Sequence, residues 1–129
     1  MQKREAAFNT TFNHWLKQVY KKTGAYELKQ TQTDSIPFSD VKPHQVEALL
    51  AVRHGTFVFK IPDAGYQNPY DCYCMHEEPA YVVIYYAKEK FFCLISIDNF
   101  VAESKASKRR SLTSARAQEI AVKVIHTRS

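Results

Sequence analysis

Gly24-Ala25-Tyr26-Glu27-Leu28-Lys29-Gln30 is the stretch on which the reading of this chain turns. It alternates over 25–30 as a short strand does, and side chains two apart on a strand project from the same face. Glu27 and Lys29 then share one face, and Tyr26 and Leu28 the other. A carboxylate beside an ammonium meets two needs of metal-dependent phosphodiester cleavage. One is an oxygen ligand for a hard cation; the other is a fixed positive charge to steady an attacking water or a phosphate. Glu-x-Lys alone arises often by chance, so its surroundings must carry the argument.

Downstream, Thr31 to Asp40 mixes Thr, Gln, Asp, Ser and Pro without periodicity and reads as a loop. Lys42-Pro43-His44-Gln45 then opens a helix, with proline suited to the first turn and Val46, Leu49, Leu50 and Arg53 at helical intervals until Gly55. Upstream, Phe8, Phe12, Trp15, Leu16 and Val19 predict an amphipathic helix over about 5–22, closed by Gly24. Lys17, Lys21 and Lys22 lie near its C-terminal end, where they either complement the helix dipole or meet an anionic partner.

From Thr56 the pattern changes to strands. Phe57 to Ile61 and Asp71 to Met75 flank an irregular connection, Asp63 to Pro69. Ala80 to Tyr86 and Phe91 to Ile97, joined by the polar turn Ala87 to Lys90, form the most secure hairpin in the chain. Glu103 to Ser114 carries Lys105, Lys108, Arg109 and Arg110 among serines and reads as a basic polar linker; Thr113 to Ile125 reads as a C-terminal helix.

The bulk figures fit one domain. At 129 residues, with 45% apolar and 24% charged side chains, the chain can bury a core unaided by staples. A formal net charge of +5 and a pI near 9.1 favour an anionic partner, nucleic acid above all. The apolar runs fall short of the roughly 20 residues needed to cross a bilayer, and the N-terminal residues lack an apolar signal core, so a cytoplasmic protein with no membrane partner is expected. Cys72, Cys74 and Cys93 are an odd set; with His76 nearby, Cys72 and Cys74 still leave tetrahedral zinc a ligand short, and reduced thiols are expected instead.

The order of helix, Glu-x-Lys strand, loop, Gln-bearing helix, strand and hairpin resembles the PD-(D/E)xK nuclease superfamily, in particular its small Holliday-junction resolvases. Glu27-Leu28-Lys29 matches the Glu-x-Lys motif, and His44-Gln45 the His-Gln that opens the following helix in one resolvase branch. The resemblance implies an α/β (α+β) fold: a restriction-endonuclease-like mixed central sheet flanked by helices, here with a hairpin inserted after the second helix. It implies a homodimeric endonuclease using Mg²⁺ or Mn²⁺ on branched or structured DNA. Glu27 would ligate the metal, Lys29 would orient the nucleophilic water, and Gln45 would fix the site or touch phosphate.

One departure matters. The family's second ligand is an aspartate upstream of Glu-x-Lys, and residues 1–26 contain no Asp. Asp71 is the expected replacement, delivered by the inserted hairpin into the sheet position left open upstream, with Asp34 and Asp40 as weaker candidates, since loop residues of this kind more often turn the chain or, as Asp40 before Pro43, cap a helix. Lys42, His44, Lys108, Arg109 and Arg110 are expected DNA contacts, and Tyr66, Tyr70, Tyr73, Tyr81, Tyr85 and Tyr86 either stack on unpaired bases or pack the sheet. A catalytically inactive DNA-binding module and a protein-binding adaptor remain alternatives.

Overall fold

The computed structural model describes residues 3–17, 24–60 and 72–127, with the backbone alone for 3–6, 56–60 and 72–75. Its elements run α1 (Lys3–Trp15), β1 (Ala25–Thr31), β2 (Ser35–Pro37), a single 3-10 turn (Phe38–Asp40), α2 (Pro43–His54), β3 (Thr56–Lys60), β4 (Cys72–His76), β5 (Ala80–Tyr86), β6 (Phe91–Ser96), α3 (Ile97–Ala106), β7 (Ser111–Thr113), α4 (Ser114–Ile120) and β8 (Lys123–His126). The class is mixed α/β, as expected. A four-stranded mixed sheet in the order β1, β5, β6, β8 forms its centre.

β5 and β6 are the middle strands. Ala80-Tyr81-Val82-Val83-Ile84-Tyr85-Tyr86 and Phe91-Phe92-Cys93-Leu94-Ile95 are apolar without alternation because both faces of the sheet are covered. On one face Val82, Ile84, Tyr86, Phe91, Cys93 and Ile95 form a core with Leu49 and Val52 of α2 and Ile97 and Phe100 of α3. On the other, Val83, Phe92 and Leu94 meet Phe8 and Phe12 of α1. Phe12 is 1% exposed and packs its ring edge-on against Phe92, at 5.8 Å between centroids.

β1 runs parallel to β5, in register from Ala25 opposite Ala80 to Thr31 opposite Tyr86. A parallel neighbour requires a long crossover. Residues 32–79 supply it and carry α2 across one face. Gly24 is needed where the ladder starts: its φ is +157°, and a Cβ there would stand 2.8 Å from the Pro79 carbonyl oxygen, which accepts the Ala25 N–H at 2.9 Å. The residue expected to close the first helix thus allows β1 to meet β5. Residues 18–22 of that expected helix lie outside the described residues.

Three expectations are corrected. The inserted hairpin is present, since β3 and β4 pair antiparallel, but it forms its own two-stranded sheet and does not fill the position beside β1. It is pinned to the C-terminal end of α2, where the Glu77 and Glu78 N–H groups donate to the carbonyls of Gly55 and Val52 at 2.9 and 3.0 Å. The basic linker 103–114 is the end of α3, a bend at 107–110 and β7, which pairs antiparallel with β2 inside the expected loop 31–40. The C-terminal helix stops at Ile120, and Lys123–His126 add strand β8 to β6.

Two buried groups bind the C-terminal segment to the centre. The Tyr86 hydroxyl donates to the Leu112 carbonyl at 3.0 Å, and Ser114 donates to Glu89 at 2.6 Å. Burial, with Cys93 and Glu89 nearby, raises the Tyr86 phenol well above its usual value. Burial likewise pushes the Cys93 thiol up to about 12 from an ordinary 9.0, against a lowering contact with the Ile84 carbonyl.

Tyr86→Phe removes the donor to a buried carbonyl and should lower unfolding free energy by about 1–2 kcal/mol in urea titrations. The raised thiol makes a pH prediction. Above pH 9 the unfolded chain releases the Cys93 proton while the native chain holds it, so stability falls as pH rises from about 9 toward 12. The urea midpoint should therefore drop less in Cys93→Ala than in the wild type between about pH 8 and about pH 10.

Candidate functional site at the edge of the central sheet

β1 is an edge strand, and its register settles which way its side chains point. Glu27 lies opposite Val82 and Lys29 opposite Ile84, both of which face α2, whereas Tyr26 and Leu28 join the cluster under α1. The expected sharing of faces is what the strand adopts. The Lys29 Nζ stands 3.5 Å from Glu27 Oε1, with the side chains 21% and 30% exposed. An ion pair this accessible contributes about 0–1 kcal/mol, so the fold does not require it.

Lys29 opens into a cavity of about 400 Å³ that wraps the edge of β1. Leu28 and Gln30 line it from the α1 side, together with Phe8; Asp40 and Lys42 line it beyond Lys29. Asp40 ends the 3-10 turn and Lys42 is the N-cap of α2, so Asp40 does not cap that helix as expected. The chain folds back this way because Thr31, Thr33 and Ser35 bond one another: both threonine hydroxyls donate to the Ser35 carbonyl, at 3.0 and 2.8 Å. β2 is then held by β7, and Phe38 N–H donates to the Arg110 carbonyl at 3.0 Å.

Gln45 occupies the third position of α2 and turns back on the helix start. Its Oε1 accepts the Lys42 backbone N–H at 2.8 Å, which satisfies one group that a helix N-terminus leaves unpaired. The carbonyl end of the side chain therefore serves the helix, and its amide nitrogen is the end chemically suited to phosphate. His44 is exposed in the same turn.

Lys108, Arg109 and Arg110 are exposed on the bend before β7. They are held in place by the β2–β7 pairing and by Ser107, whose hydroxyl accepts the Arg109 N–H at 3.1 Å. Asp34 is exposed, and its backbone carbonyl takes the Ser114 N–H at 2.7 Å. Asp71, the expected second ligand, lies outside the described residues, as do Tyr66 and Tyr70, and the side chains of Cys72, Tyr73 and Cys74. Tyr86 is fully buried sheet packing, while Tyr81 and Tyr85 are half-buried on the α1 face.

Three polar side-chain contacts escaped the sequence reading. Arg116 donates twice to Glu103, at 2.9 and 3.0 Å, and once to Glu119 at 2.7 Å, holding α4 against α3. The Arg116 hydrogen bonds hold the Glu103 carboxyl below its ordinary range. His54 Nε2 and Asp98 Oδ1 lie 2.6 Å apart between α2 and α3. Only the Arg116–Glu119 spacing, three apart on one helix, carried a signal in sequence.

Among the described residues no group of three or more His, Cys, Asp or Glu side chains converges as a metal site. No described helix is long and apolar enough to cross a membrane. The chain matches no protein-family profile, no curated protein and no solved structure.

The Gln45 cap is separable from any role in chemistry. Gln45→Ala should cost about 0.5–1 kcal/mol in thermal or urea unfolding, whereas Gln45→Glu keeps an acceptor at the helix start and should retain wild-type stability.

Proposed function

We propose that the chain is a metal-dependent DNA endonuclease of the PD-(D/E)xK kind, with a restriction-endonuclease-like core, acting on branched or structured DNA as a homodimer. The observation that carries this reading is the half-buried Glu27–Lys29 pair at 3.5 Å on an edge strand whose lysine opens into a cavity shared with Asp40 and Lys42. The strand, helix and parallel strand formed by β1, α2 and β5 agree with the Glu-x-Lys half of such a site.

Glu27 supplies one oxygen donor of the kind a hard cation takes. Mg²⁺ retains several waters and takes one or two carboxylates together with substrate phosphate, so Glu27 with one further acid suffices. Asp40, on the wall of the cavity that Lys29 lines, and Asp71 are the two candidates for that acid. Bound there, Mg²⁺ or Mn²⁺ supplies Lewis acidity and lowers the pKa of a coordinated water. Lys29 holds positive charge where a phosphate gains negative charge, and the Gln45 amide nitrogen and the α2 N-terminus offer N–H donors on the same side of the sheet. Lys42, His44, Lys108, Arg109 and Arg110 supply phosphate attraction independent of base sequence. Two copies related by a twofold axis suit symmetric cutting of two strands.

A second reading rests on the ion pair itself. With Glu27 already neutralised by Lys29, the same strand can serve a metal-free DNA-binding module of net charge +5. Cleavage of a four-way junction with Mg²⁺ or Mn²⁺ tests the first reading. Glu27→Ala should reduce the rate at least about a hundredfold while junction affinity stays within a few-fold of wild type. Undiminished cleavage by that variant overturns the nuclease reading. Calorimetry with Mn²⁺ separates the two, since the module should take up no metal yet still bind the junction.

A further inference from the structure

From Ser104 to Gln118 the chain holds five cations, Lys105, Lys108, Arg109, Arg110 and Arg116, and no acid. Arg116 is already committed, since three of its N–H groups go to Glu103 and Glu119. Lys108, Arg109 and Arg110 form no ion pair or side-chain hydrogen bond among the described residues. That separates them from Lys29, which has Glu27 at 3.5 Å, and from Lys42, which shares its cavity with Asp40. An anion gains most from charge that has no internal partner to give up.

The bend that carries these cations is fixed by the fold. The Arg110 carbonyl accepts the Phe38 N–H at 3.0 Å, the Glu103 carbonyl accepts the Ser107 N–H at 2.9 Å, and Leu112, 1% exposed, anchors β7 in the core. Between the end of α3, this bend and the start of α4 lies a recess of about 290 Å³. Lys108 and Arg109 line it together with the hydroxyl groups of Ser107, Ser111 and Thr113. The Ser107 and Thr113 oxygens accept the N–H groups of Arg109 and Arg116 at 3.1 and 3.2 Å, which leaves both hydroxyl hydrogens for a ligand. The Ser111 hydroxyl has no partner among the described residues. Glu103 is the one carboxylate among the lining residues, and both of its oxygens take Arg116 N–H groups. The recess therefore sets unused donors beside two uncompensated charges, and a phosphate, with acceptor oxygens on every side, satisfies such a set.

We infer that this recess seats one backbone phosphate of a DNA strand, with Lys108 and Arg109 on its charge and the Ser107, Ser111 and Thr113 hydroxyls on its oxygens. Arg110 is exposed beside the recess but does not line it. A lone phosphate leaves Arg110 unused, whereas a strand brings it a second one. The inference deepens the DNA-binding part of the nuclease reading and rests on it, without requiring cleavage: the strand is anchored at the bend, apart from the Glu27–Lys29 pair.

The full chain is titrated with the four-way junction in EDTA over a series of salt concentrations. Arg109→Ala, at an exposed position, should weaken binding about fivefold and lower the salt dependence by about one phosphate contact. Arg53→Ala removes the same charge from an exposed site at the end of α2, next to the His54–Asp98 contact, and should leave affinity within about twofold of wild type. Ser111→Asp sets a carboxylate among the donors and should lose at least as much as Arg109→Ala; Arg109→Asp makes the same test if Ser111→Asp fails to fold. In amide NMR, inorganic phosphate should shift the signals of residues 107–113 ahead of the rest, and chloride of equal ionic strength should not. Equal losses in Arg53→Ala and Arg109→Ala mean diffuse attraction, and a missing phosphate shift at 107–113 means no recess; either result overturns the inference. So does a phosphate shift at the bend with undiminished junction affinity in Arg109→Ala, because the site then takes a free phosphate group. Because no metal is present, lost affinity in Arg109→Ala of a chain that cleaves nothing supports the recess and removes only the nuclease reading, whereas cleavage with unchanged Arg109→Ala affinity removes the recess alone.

Discussion

The parallel pairing of β1 with β5 is the constraint on which the rest of the structure depends. Seven residue pairs from Ala25–Ala80 to Thr31–Tyr86 fix β1 at the edge of a sheet whose next two strands are buried on both faces. A hairpin cannot make such a pair, so residues 32–79 must leave the sheet and return. α2 crosses one face on the way, and the β3–β4 hairpin is left at the far end of that helix. Gly24 is the local condition for this arrangement, because a side chain there would collide with the Pro79 carbonyl that starts the ladder.

The consequence for chemistry is positional. Because β1 has β5 on one side only, Glu27 and Lys29 lie between a packed interior and an open edge, with partial exposure. The return of the chain through the Thr31, Thr33 and Ser35 hydrogen bonds brings Asp40 and Lys42 to that edge. β7 braces the same turn from the other end of the chain and fixes the basic bend at 107–110 to it. Lys29, Asp40 and Lys42 thus line one cavity, while the basic bend is tied through backbone pairing to the strand that precedes Asp40.

Much of the fold was legible where local pattern and tertiary packing agree. The Ala80–Tyr86 and Phe91–Ser96 strands show as apolar runs around a polar turn, and α2 announces itself through Pro43 and the apolar spacing that follows. The chain after Ser96 was not legible. Ala117 and Ile120 fit a helix, and nothing local shows that it stops before Lys123, because β8 exists only by pairing with β6. The same holds for the three-residue strands β2 and β7, each of which is stabilised by a partner more than seventy residues away. At the site, the common face of Glu27 and Lys29 followed from strand periodicity alone. The approach of Asp40 did not, since it depends on a turn built from side-chain hydrogen bonds that composition reads only as loop.

The proposed nuclease chemistry requires a metal ion at the edge of β1. Backbone amide NMR during titration with substoichiometric Mn²⁺ locates that ion without requiring turnover. With the ion at Glu27, signals of residues 26–30 should broaden first, accompanied by those around Asp40 or Asp71, and Glu27→Ala should abolish the effect on β1. Broadening that spares residues 26–30, or that persists there in Glu27→Ala, would contradict it.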